Sequence, residues 1–105
     1  MKPWTSYYEN LIIALKDPEE ATAYLNAALE AGDREAFLLA LRNVLEAQGG
    51  MTKASRSSKI HRVSLYKMLS KNGNPSLESI LTLLNTIGVR LQFVERERKK
   101  LRRAA

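Results

Sequence analysis

Between Met51 and Asn74 the chain carries six basic side chains, Lys53, Arg56, Lys59, Arg62, Lys67 and Lys71, and no acidic one. Lysine and arginine almost never sit fully buried without a partner, so this stretch has to lie along a surface with only its apolar positions turned inward. Those positions fall at helical spacing. Thr52 is placed to cap a first helix that carries Ala54, Ser55 and Ser58 on its inner face, and Lys59-Ile60-His61 forms a turn before a second helix that begins near Arg62. Leu65, Met68 and Leu69 then face the core, which leaves Arg62, Val63, Ser64, Tyr66 and Lys67 on or beside the outer face. The pattern is that of a helix-turn-helix whose second helix reads a polyanion.

A solvated cationic face is the plainer reading, since such side chains usually lie outside in any case. The order of elements favours the sharper one. A cap, two short helices, a Pro/Gly loop and a further helix follow as an operator-binding domain needs them, and the acid-free charge coincides with them. On this reading Arg62 and Lys67 reach guanine edges, Ser64 and Tyr66 bond bases or phosphates, and Val63 touches a thymine methyl. Lys53, Lys71 and Asn72 are expected on phosphates, where they set affinity and register rather than sequence.

The formal net charge of +6 conceals an asymmetry. Residues 1–50 hold four basic and eight acidic side chains, a balance of −4, while residues 95–105 hold six basic and two acidic, a balance of +4. The two halves are suited to different partners: the basic one to phosphate, the acidic one to a basic protein. With no cysteine and a single histidine, His61, the chain has no disulfide, no thiolate chemistry and no usual zinc set, and no metal or cofactor is expected. A nucleophile elbow, a phosphate loop and paired catalytic carboxylates are also missing, so an enzyme is not expected. The longest strongly apolar run, Leu11 to Leu15, is far short of a membrane span, and the start of the chain lacks a signal-peptide pattern. A soluble, cytoplasmic protein is the expectation.

Along the chain, residues 1–16 read as an N-terminal segment with a short helix from Tyr7 to Leu15, although Ile13 widens its apolar face and leaves a strand open. Asp17-Pro18-Glu19-Glu20 starts the next helix, with Asp17 as cap, Pro18 in first position and Glu20 set for a capping-box return. It runs to about Ala31 on a stripe of Tyr24, Leu25, Ala28 and Leu29, and Gly32 ends it. Asp33 caps a core helix bearing Phe37, Leu38, Leu41, Val44 and Leu45, which reaches about Gln48 before Gly49-Gly50. After the basic pair of helices, Gly73-Asn74-Pro75 marks a tight loop and Ser76 caps a last helix with Leu77, Ile80, Leu81, Leu84 and Ile87 on its apolar face. Residues 89–94 alternate with a period of two and are expected as a short strand, which must pair with the N-terminal segment, a second copy or another protein. A second copy is favoured, because a homodimer would also set two recognition helices on successive major grooves. Residues 17–94 thus make one helix-turn-helix domain with a C-terminal strand, and residues 95–105 a basic tail.

The segments LKDPEEATAYLNAALEAGDREAFLLALRNVLEAQGGM and SLYKMLSKNGNPSLESILTLLNTIGVRL, in this order and spacing, resemble the HigA-like addiction-module antidote proteins. That family belongs to the Xre-type, lambda-repressor-like class. The resemblance implies an all-α fold of five to six helices that binds double-stranded operator DNA, represses its own operon and neutralises a RelE/HigB-like toxin. The departures lie in the basic stretch itself. Ala54 and Ser55 stand where the family usually has leucine and alanine, Lys59 where it has a turn glycine, and His61 where a serine, threonine or asparagine caps the second helix. A smaller core side chain typically costs a few kcal/mol and a lost cap about 1 kcal/mol, so a looser motif is expected. The alternative function is a protein-interaction module that binds a basic partner, with DNA binding weak or lost.

Overall fold

A computed structural model describes residues 6–96 as six helices: α1 (Tyr7–Ala14), α2 (Pro18–Glu30), α3 (Arg34–Ala47), α4 (Gly50–Ser58), α5 (Arg62–Met68) and α6 (Leu77–Thr86). The expectation for most of the basic tail falls outside the described residues. The all-α class holds, and the ambiguous N-terminal stretch is a helix. Its start was written in the sequence as Ser6-Tyr7-Tyr8-Glu9: the Ser6 hydroxyl accepts from the Glu9 N–H and the Glu9 carboxylate accepts from the Ser6 N–H, a reciprocal cap. Asp17, Asp33 and Ser76 cap α2, α3 and α6 through their side chains as their positions suggested. The Asp17 carboxylate takes the Glu19 N–H, and no return bond from Glu20 closes a box there.

Helix α3 is the centre of the molecule. Leu38, Ala40, Leu41, Asn43, Val44, Leu45 and Ala47 are all buried, and α1, α2 and α4 each pack against it. Such wide burial follows from a helix whose apolar positions occupy more than one stripe. Two polar side chains fix its neighbours. The buried Asn43 amide donates to the Tyr24 hydroxyl at 3.1 Å, tying α3 to α2, and Gln48 donates to the Leu15 carbonyl at 2.8 Å, tying its end to the end of α1. Leu15, Leu41, Leu45, Leu65 and Leu83 are completely enclosed and join α3 to the C-terminal helices.

Four expectations need correction. Thr52 does not cap α4, which begins at Gly50 with Gly49 as its cap residue; both glycines have positive φ, so the chain turns from α3 into α4 without a loop and leaves Thr52 inside the helix, exposed. Leu77 and Leu81 are exposed at 65% and 42%, while Leu83, absent from the expected stripe, is buried. The inward side of α6 is centred on Ile80, Leu83, Leu84 and Ile87; Leu81 lies about a third of a turn round the helix from that centre, and Leu77 sits in the exposed first turn. Leu29, expected in the stripe of α2, is also largely exposed.

The last correction concerns residues 89–94. Among the described residues there is no strand. The Val89 N–H donates to the Leu84 carbonyl, and the chain then runs on without a ladder, with Phe93 and Val94 exposed at 95% and 81%. A strand exists only beside another strand, and the one candidate partner within the chain, the N-terminal segment, is helical.

Candidate nucleic-acid interface

Helices α4 and α5 are joined by Lys59, Ile60 and His61. Lys59 takes a left-handed conformation, φ 64°, at the position where a glycine would be relaxed. Serine hydroxyls hold the turn closed around it. Ser55 donates to the Ile60 carbonyl at 2.6 Å, and buried Ser58 accepts from the Ile60 N–H at 3.2 Å. The two serines on the inner face of α4 therefore satisfy both backbone groups of Ile60, which a leucine or alanine could not do. His61 in turn acts as the cap of α5, its Nδ1 accepting from the Val63 N–H at 3.3 Å.

Of the side chains expected to read DNA, Arg62, Val63, Ser64 and Lys67 are exposed on α5, while Leu65 beneath them is wholly buried. Ser64, Lys67 and Asn72 come together along an open groove between α5 and the loop that follows it, with Met68, Ser70, Gly73 and Asn74 as its other walls. That loop sits very close to the helix. Gly73 is buried, and a Cβ there would overlap the Met68 carbonyl, so the loop passes at a distance only glycine permits. Lys71 is exposed beside the groove. Lys53 is not part of it; it lines a small crevice with Gly50, Ser57 and the Thr86-Ile87 end of α6.

Tyr66 differs from its neighbours. It is half-buried against the core, and two guanidinium groups lie over its ring: Arg62 at 5.7 Å and Arg42 at 5.3 Å from the centroid. Arg42 belongs to α3 and was not singled out in the sequence. It falls beside Leu41 within a strongly apolar helix, and its approach to α5 depends on how α3 and α5 cross, for which a linear sequence has no signal.

A second exposed surface lies on α1, which buries none of its own residues. Tyr8, Glu9, Ile12 and Ile13 of α1 and Glu46 of α3 line a shallow depression, with Tyr8 and Ile13 exposed at 51% and 58%. It combines apolar side chains with two carboxylates. Among the described residues no group of carboxylates and histidine is placed to hold a metal ion, and no helix is long and apolar enough to cross a membrane.

A family model described as "Probable addiction module antidote protein" matches residues 8–95. An uncharacterised protein of Haemophilus influenzae is 32% identical over 78 residues, which cover 74% of this chain and 79% of that protein. No solved structure matches. The match takes in all of α2–α6 and nearly all of α1, including the α4–α5 unit, the loop at Gly73 and the surface of α1. The chain belongs to the probable addiction module antidote protein family.

Proposed function

We propose that this antidote is the antitoxin of a type II toxin-antitoxin module, which binds operator DNA through α4 and α5 to repress its own transcription and neutralises a RelE/HigB-like toxin. The observation that carries the DNA half of this reading is the exposed row Arg62, Val63, Ser64 and Lys67 on a helix whose opposite side is anchored by buried Leu65, within a stretch free of acidic residues. Such a helix presents donors and one apolar contact to base edges, while Lys53, Lys71 and Asn72 supply phosphate contacts. Two copies on an inverted repeat would place their recognition helices about 34 Å apart. A gel shift with the DNA upstream of its own gene tests this: a discrete complex that survives competitor DNA is expected, and binding no tighter than to unrelated duplex refutes it.

A protein-interaction reading is favoured by a separate observation, the exposed apolar and acidic surface of α1 with Glu46. It suits a basic partner, and a toxin that grips RNA is expected to be basic. The two activities occupy different surfaces of one molecule. Co-purification with the product of the adjacent reading frame tests the second, with loss at high salt as the expected signature.

A further inference from the structure

We propose that Arg42 and Arg62, both held over the ring of Tyr66, form a phosphate clamp that grips the backbone of duplex DNA at the edge of α5. Tyr66 is the shared platform. The guanidinium carbons lie 5.3 Å and 5.7 Å from its centroid, and their separation cannot exceed the total of those distances. Neither guanidinium is ion-paired among the described residues, although Glu46 lies one turn along α3 from Arg42. Because both guanidinium groups are held to one ring, an anion beside that ring is attracted by both charges.

The chemistry selects phosphodiester oxygen. A guanidinium over an aromatic face spends none of its N–H groups on that contact, and its planar fork matches phosphate with two parallel charge-assisted hydrogen bonds. The contact with the ring also limits the rotamers available to the long side chains, so less freedom is lost when the anion binds. The acid-free stretch from Met51 to Asn74 favours a polyanion over a lone carboxylate. Arg62 thus works on the backbone rather than on a base edge, and Arg42 brings α3 into the interface.

This inference rests on the DNA-binding reading above, and the test separates the two. Equilibrium binding of the full chain to its upstream DNA and to an unrelated duplex is measured from 50 to 200 mM salt. Arg42→Gln is expected to weaken both duplexes by the same factor and to lower the slope of log K against log salt by about 0.9, so that the fourfold rise in salt weakens binding roughly 3.5-fold less than in the parent. Arg34→Gln, which removes an equal charge from the far end of α3, is expected to leave the slope unchanged. Tyr66→Leu, which removes the ring and no charge, is expected to lower the slope as well. A parental slope in Arg42→Gln, an equal fall in Arg34→Gln, or a loss confined to the upstream DNA overturns the clamp. Should Tyr66→Leu fail to melt cooperatively, the arginine pair of variants decides alone. A parent that binds neither duplex overturns the DNA reading and the clamp together.

Discussion

The Ser55 hydroxyl donates a 2.6 Å hydrogen bond to the carbonyl of Ile60, across the turn between α4 and α5. With the Ser58 hydroxyl accepting from the Ile60 N–H at 3.2 Å, both backbone groups of Ile60 are bonded to serine side chains of α4. The turn is thus closed by side-chain hydrogen bonds from α4. Ser55→Ala is therefore expected to destabilise the domain by about 1 kcal/mol, because a partly buried carbonyl loses its partner and gains little else. Urea denaturation followed by circular dichroism checks this; an unchanged midpoint would mean that water replaces the hydroxyl without loss.

Lys59 sits at φ 64°, a left-handed conformation that costs a residue with a Cβ roughly 1–2 kcal/mol. Lys59→Gly is expected to raise stability by somewhat less, about 0.5–1 kcal/mol, since glycine also gains freedom in the unfolded chain. For a domain of this size the melting temperature should rise by a few degrees. A fall on calorimetry would show that the lysine side chain makes a contact that outweighs the strain.

For the recognition helix, Arg62→Ala with Lys67→Ala is expected to abolish the preference for upstream DNA while the domain still melts cooperatively. Lys67 contributes discrimination of about 1–3 kcal/mol if it meets a base edge, and Arg62 contributes affinity through the backbone. The stability cost should stay near 1 kcal/mol, most of it from the lost contact of Arg62 with Tyr66. Competition gel shifts measure the preference; parental discrimination in the double variant would move the reading surface off α5.

The partner surface on α1 is better tested by point changes than by truncation. Leu15, just past α1, is 2% exposed in the core, so a deletion reaching it would open the fold. Tyr8→Ser with Ile13→Ser removes two exposed apolar side chains and leaves Leu15 in place. Calorimetric titration with the adjacent gene product is expected to show at least about tenfold weaker binding, about 1.4 kcal/mol, with DNA binding unaltered. Parental affinity for that partner would place the contact elsewhere.

What the sequence by itself determined was local. Caps at Asp17, Asp33 and Ser76, the stop at Gly32, the turn at Lys59 to His61 and the apolar face of α3 depend on bonds and periodicities spanning a few residues, so they are legible in a linear string. The same holds for the exposed row on α5, since burial of Leu65 forces its neighbours outward. The tertiary structure decided what depends on how helices meet. It turned Leu77 and Leu81 to solvent and Leu83 inward because α6 packs on α4 at an angle that spacing does not reveal, and it brought Arg42 over Tyr66 from a helix far away in sequence. It also left residues 89–94 without a ladder. Their alternation records a preference for an extended chain with one apolar side, but a strand is a relation between two segments, and among the described residues no second strand is offered.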